Sequence, residues 1–255
     1  MHTRCPKCGH APLPVNQSLP AACPACGVIL AKIGQQPMRL AQKEDEEEAQ
    51  SASPEEGERW TSLLVRVPEQ VDTTAFWARV ALLAIFALWG CVLITQDVRT
   101  GELANAFLHR PLLIFHEAGH VVFAFLGHWM MIAGGTLGQL LMPLVLAAAL
   151  LLKNRDPFGA AIGLWFLGIS ILDVAPYMYD ALHPQLMLLS GTTGEEGGHD
   201  WIFLFSSLGW LAKSQAIGLA THKLGALVVI AAVAWAAWVL RLQHANLGGL
   251  VLNEE

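Results

Sequence analysis

The chain has 255 residues, 54% of them hydrophobic and only 14% charged, with a formal net charge of −6. Soluble proteins carry about 25% charged residues, so this composition excludes an ordinary soluble domain and points to an integral membrane protein. No basic face is present to serve a nucleic-acid partner.

The N-terminal end carries four of the five cysteines, in Cys5-Pro-Lys-Cys8-Gly and Cys23-Pro-Ala-Cys26-Gly. Two such knuckles joined by a short loop supply four thiolates for a tetrahedral structural zinc. The glycine after each lets the turn tighten. Two disulfides, or a redox pair, are the weaker alternatives; no βαβ pattern supports the latter. Residues 1–36 are therefore expected to form a zinc ribbon that folds around its metal. It is suited to docking a cytoplasmic protein partner rather than to catalysis.

Residues 37–72 hold most of the negative charge, in Glu44-Asp45-Glu46-Glu47-Glu48 with Glu55, Glu56 and Glu58. They are expected to be a solvated linker. The first apolar run begins only after about seventy-five residues, which does not fit a cleavable signal peptide.

Residues 73–245 form the membrane-embedded part, with 246–255 as a tail. A hydrocarbon core about 30 Å thick needs about 20 apolar residues per helix. On that measure the expected spans are Phe76 to Thr95, Ala104 to Ile132, Gly135 to Leu152, Pro157 to Tyr179 and Leu224 to Leu240. The run Trp201 to Ala212 is too short to cross with ease and would be re-entrant or interfacial. The fold class is thus mostly α: a polytopic membrane helical bundle of about five spans, six if the short run crosses, with a small N-terminal zinc ribbon.

The second apolar run contains His116-Glu117-Ala118-Gly119-His120. HExxH sets two imidazoles one helical turn apart on one face, where both can ligate zinc. The glutamate between them can take a proton from metal-bound water. Ionisable groups in an apolar helix are costly unless paired or metallated, and they are usually functional.

A catalytic zinc needs a third protein ligand and an open position. Asp173 and Asp180 lie seven residues apart in the fourth run, with Tyr177 and Pro176 between them. If the second and fourth runs both cross, they run in the same direction, with His120 and Asp173 each about sixteen residues in, at one level at 1.5 Å per residue. That favours Asp173, with Asp180 and His199 as alternates. Asp200 is expected to cap a short helix or to orient a ligand histidine. His109 and His128 are expected at the interface. The segment Gly134-Gly135-Thr136-Leu137-Gly138-Gln139 is expected to be a turn or a short strand. There glycine permits close backbone approach, and Gln139 reaches a substrate or bonds across helices.

On these residues the chain resembles the site-2 protease family of intramembrane zinc metalloproteases, the M50-like peptidases, over roughly Ala104 to Leu211. The resemblance implies His116 and His120 as zinc ligands and Glu117 as general base. The family's third ligand is an aspartate followed by glycine, whereas here the matching residues read Leu172-Asp173-Val174 and Tyr179-Asp180-Ala181. No PDZ-like insertion fits between the runs.

The function expected is a membrane-embedded zinc metalloendopeptidase with two zinc ions, one catalytic and one structural. Its substrate would be a transmembrane or membrane-proximal protein. The rivals are a catalytically inactive membrane adaptor that recruits a partner through the ribbon, and a zinc hydrolase of a lipid or other small molecule. Thiolate ligands favour a reducing compartment, so the N-terminus is expected in the cytoplasm of a bacterium, with the bundle in the inner membrane. The count of lysine and arginine on a five-span topology runs against that orientation.

Overall fold

The computed structural model describes residues 3–15, 21–30 and 61–247. The chain divides into two compact units, Met1–Glu56 and Gly57–Glu255. Most of the acidic run expected as a linker lies outside the described residues, as do residues 16–20, 31–36 and 248–255.

In the first unit two matching turns carry the cysteines. Gly9 donates to the Cys5 carbonyl at 2.8 Å and Gly27 to the Cys23 carbonyl at 2.8 Å. Both glycines are left-handed, at φ 75° and 70°, which only glycine adopts without cost. Ala22 and Ile29 pair across the second knuckle, and Cys5, Cys23 and Leu30 make a small buried core.

The second unit is helical: α1 (Thr73–Thr95), α2 (His109–Phe123), α3 (His128–Leu152), α4 (Pro157–Asp180), α5 (Asp200–Ser207) and α6 (Ser214–Ala245). Asp72 starts α1 by accepting from the Ala75 amide at 2.7 Å, a side-chain cap of the usual kind. Among the described residues four helical segments are long and apolar enough to cross a membrane: α1, α3, α4, and α6 with the turn before it. The most apolar window of α4 is 67% buried within the molecule and that of α1 only 17%. So α4 is the central post and α1 turns most of its surface outward, to where lipid would be.

Four candidate spans among the described residues stand where five were expected. The run Ala104 to Ile132 is not one helix. Its motif-bearing part, α2, has 15 residues, about 22 Å at 1.5 Å per residue, short of the roughly 30 Å core. Gly127, at φ 97°, breaks the helix, and α3 begins at once at His128 rather than at Gly135. The other end of α2 starts inside the bundle. Leu103, Leu108 and Leu112 share a buried cluster with Trp165, Ile169 and Leu172 of α4. Of the turn Glu102–Asn105 that precedes α2, only Leu103 is buried. Trp201 to Ala212 is likewise no crossing: α5 has eight residues and ends before a 3-10 turn at Leu211–Lys213.

The start of α1 and the end of α6 come together. Val71 pairs with Leu247, the Asn246 side-chain Nδ2 donates to the Pro68 carbonyl at 2.8 Å, and Arg79 lies 3.9 Å from Asp156 in the α3–α4 connection. Lys153 and Arg155 therefore join Arg66 and Arg79 on one face. Arg99 and Arg110 stay at the other end of α1, so two of the four cations counted against the expected orientation change side.

Two glycine seams set the helix spacing. Along α4 and α6, a Cβ on Gly168 would meet the Val229 amide nitrogen at 2.9 Å, and one on Gly225 the Leu172 nitrogen at 2.8 Å. Between α2 and α3, a Cβ on Gly138 would meet the Phe115 carbonyl oxygen at 2.6 Å, and Gly119 abuts the Gly134 carbonyl. Small residues let membrane helices approach backbone to backbone. The Gly134–Gln139 segment is thus neither turn nor strand but the first half of α3, pressed on the motif helix. Gly138→Val should lower stability by about 1–3 kcal/mol, the usual cost of overpacking, read as a lower midpoint of thermal unfolding in detergent micelles.

Candidate metal centres

Four sulfurs converge in the N-terminal unit, with Cys5 and Cys26 3.7 Å apart and Cys8 and Cys23 3.8 Å apart. All four lie within 4.8 Å of one another. A disulfide needs about 2.05 Å, and these cysteines are free. The arrangement is one that can hold a metal ion and is consistent with zinc. Burial pushes the Cys5 thiol up, but the Cys8 and Lys7 amides and the Cys8 and Cys23 thiols outweigh it and bring Cys5 to about 7. For Cys8 the His10 amide pulls down, yet the Cys26 thiol and burial leave it pushed up to about 12. Cys5 is thus the first of these two to ionise.

The second cluster lies in the helical unit, where His116 and His120 of α2 meet Asp200 at the start of α5. Their ligand atoms also fall within 4.8 Å of one another. Asp200 Oδ2 is 2.9 Å from His116 Nε2 and 3.3 Å from His120 Nε2. The far side of each ring identifies what faces that oxygen. His120 Nδ1 is 2.8 Å from the Met131 carbonyl, which only accepts, so the proton is on Nδ1. Gln139 Nε2 donates to Asp173 Oδ2 at 2.8 Å. That fixes the amide, and its Oε1 takes the Nδ1 proton of His116 at 3.3 Å. In the state where both rings are neutral, two bare Nε2 lone pairs and a carboxylate oxygen point at one spot. Three acceptors repel unless a cation or added protons lie among them.

Gly135 shows that the spot is also kept open. A Cβ there would stand 2.6 Å from His116 Nε2 and 2.6 Å from His120 Nε2. The donor set, two imidazoles and a carboxylate oxygen, is one zinc accepts, so the residues fit a metal.

Around this cluster is a cavity of about 330 Å³, into which Glu117, Tyr177 and Asp173 face and which Leu186 to Leu189 wall on the apolar side. Asp173, expected as third ligand, is not brought to the histidine pair. Its Oδ1 is 2.9 Å from His109 Nδ1 and its Oδ2 holds Gln139, so it orients His116 at one remove. The common depth expected for His120 and Asp173 is not found, because α2 begins beside α4 rather than running along its full length. That places His109, not His120, beside Asp173.

The alternates lie outside the cluster too. Asp180 accepts from the Gln185 and Leu186 amides at 2.8 and 3.2 Å. His199, not Asp200, caps α5 by accepting from Ile202 at 3.3 Å. Its ring lies 4.2 Å from that of Tyr177 and its Nε2 3.4 Å from Asp180. His109 is drawn into the polar chain and away from the expected interface, while His128 packs on Phe203.

Comparison with family models, curated proteins and solved structures returned no match.

Metal analysis separates the roles of the three aspartates. Asp200→Ala should strip the ion from the helical unit. Asp173→Ala should weaken it by the roughly 10–100-fold that loss of an orienting partner costs, and Asp180→Ala should leave it in place. Zinc titration monitored by a chelating dye measures all three, and equal retention by Asp200→Ala would show a different ligand set. Cys5→Ser should remove the N-terminal ion alone.

Proposed function

We propose that the protein is a membrane-embedded zinc metalloendopeptidase that hydrolyses peptide bonds in or near the membrane. The observation that carries this reading is the meeting of His116, His120 and Asp200 around one acceptor-lined spot, with Glu117 on the same helix turn and the same cavity.

His116, His120 and Asp200 would hold the ion. Zinc there would supply Lewis acidity toward a peptide carbonyl and lower the pKa of bound water toward about 7. Glu117 takes the proton of the attacking water and passes it to the departing amine nitrogen. Gln139 and the Met131 carbonyl hold the two imidazoles in the tautomer that presents Nε2 to the ion. The apolar wall at Leu186 to Leu189 suits an apolar peptide segment. A helical substrate must unwind to enter, since its carbonyls are otherwise covered and hydrogen-bonded.

The resemblance to site-2 proteases supports the same reaction class, with one difference: here the third ligand is supplied beyond the last residue of α4. The natural substrates are transmembrane or membrane-proximal proteins, and the cysteine ribbon, zinc-bound, is the docking module for a cytoplasmic partner. The N-terminus belongs in the cytoplasm of a bacterium, with the bundle in the inner membrane. Thiolate chemistry supports this, as does the grouping of Arg66, Arg79, Lys153 and Arg155 on the face where the helical unit begins and ends.

Glu117→Gln tests the reading. Purified in detergent with two zinc ions per chain, the wild type should cleave fluorescein-labelled casein. The variant should keep both ions and lose turnover by a factor of at least about 10². Turnover that survives the substitution would exclude Glu117 as base, and a wild type that binds zinc yet never cleaves would favour the adaptor.

A further inference from the structure

Tyr177 is a polar side chain of the cavity, on the same helix as Asp173, that the reading above leaves without a role. It projects from the last turns of α4, beside Pro176 and one helical turn past Asp173, and it lines the cavity with Glu117 and His116. Its hydroxyl oxygen accepts the Asp200 amide at 2.9 Å. That bond uses a lone pair and leaves the O–H proton free, and among the described residues no acceptor takes it. The ring is held on two sides, with His199 stacked at 4.2 Å and His116 at 6.1 Å between centroids. His199 is itself fixed by Ile202 and Asp180. A rigid donor therefore stands beside the metal cluster, bound to the backbone of one of its ligands, with its proton unspent.

We infer that Tyr177 is a catalytic residue that donates a hydrogen bond to the carbonyl oxygen of the scissile peptide as negative charge develops on it. This rests on the peptidase reading above. In the step, the water oxygen bonds to the carbonyl carbon while Glu117 takes the water proton, and the C=O π pair moves onto oxygen. Tyr177 keeps its proton and shares it with that oxygen. The pair then returns, the C–N bond breaks, and Glu117 passes the proton to nitrogen, giving a carboxylic acid and an amine. A donor already in place at the site of developing charge needs no reorganisation, which is why such groups are worth about 10²–10³ in kcat.

The geometry also separates this role from a merely structural one. If Tyr177 served only to hold Asp200 through its amide, its loss would loosen the metal. As an oxyanion donor it acts on the transition state, leaving metal and ground-state binding alone.

The test is Tyr177→Phe, which keeps the ring stack and deletes the donor. Three quantities are read: zinc content, kcat and KM on fluorescein-labelled casein, and the Kd of a phosphinic tripeptide whose tetrahedral anion mimics the addition species. The expected result is full zinc, KM within about twofold, kcat down about 10²–10³-fold, and phosphinate affinity weakened tenfold or more. Tyr177→Ala, which also removes the stack, should do at least as much damage to kcat. Unchanged kcat and phosphinate affinity in a zinc-replete Tyr177→Phe would overturn the inference while leaving the peptidase reading intact. Loss of zinc from that variant would also overturn it, making Tyr177 a positioning residue. A wild type without zinc in the helical unit would instead defeat the peptidase reading, and the binding arm reads even where casein is a poor substrate.

Discussion

A carboxylate oxygen cannot rest 2.9 and 3.3 Å from two imidazole nitrogens that both present lone pairs unless positive charge lies among them. The rest of the helical unit can be understood as the means of enforcing that encounter. The Met131 carbonyl and the Gln139 amide face the outer nitrogens of the two rings and hold their protons there. Asp173 fixes the amide of Gln139, and His109 fixes Asp173. Buried polar groups are costly when only partly satisfied. This chain of bonds satisfies each of its members and leaves the unmet demand at one point.

Close helix packing makes the encounter possible. With the α2 backbone against that of α3 at Gly119, Gly134 and Gly138, the His116 and His120 rings reach over Gly135 to face the Asp200 carboxylate. Larger side chains would raise α2 off α3 and take both histidines with it. The early end of α2 follows from the same need. A helix that crossed fully would carry its histidines past the level where α5 begins, whereas one that starts beside Asp173 delivers them to Asp200 with room left for a cavity.

Much of this was legible in the sequence, for identifiable reasons. The knuckle turns follow from CxxC-Gly spacing, because glycine at positive φ is a local requirement. The apolar runs follow from composition, and the pairing of His116 with His120 follows from helical period. What escaped was set by tertiary context. Gly127 ends a helix within an unbroken apolar stretch, and hydropathy does not register a single left-handed residue. Gly134 to Gln139 looked like a turn because three glycines in six residues usually mark one. In a membrane the same glycines pack helices. The third ligand was sought at matching depth in a neighbouring crossing, and Asp200 sits in a connection, where depth cannot be read from residue count. One signal did point to it: Asp200 opens a short apolar helix two residues after Gly198, the second of a glycine pair.

The source of that third ligand has a mechanical consequence. His116 and His120 ride on one helix and cannot separate, but Asp200 follows a connection with Gly191, Gly197 and Gly198 all at positive φ, a segment with little helical stiffness of its own. Asp200 has several ties, so that loss of one leaves the others: the Tyr177 hydroxyl on its amide, the stack of His199 on the Tyr177 ring and the Gln185 and Leu186 amides that donate to Asp180. The two residues that could have been ligands, Asp180 and His199, thus act as the anchors of the loop that supplies the real candidate. An ion bridging α2 and α5 would add a further tie across the same cavity. Metal binding would then draw on the same free energy that holds this loop in place, since the loop supplies the third ligand.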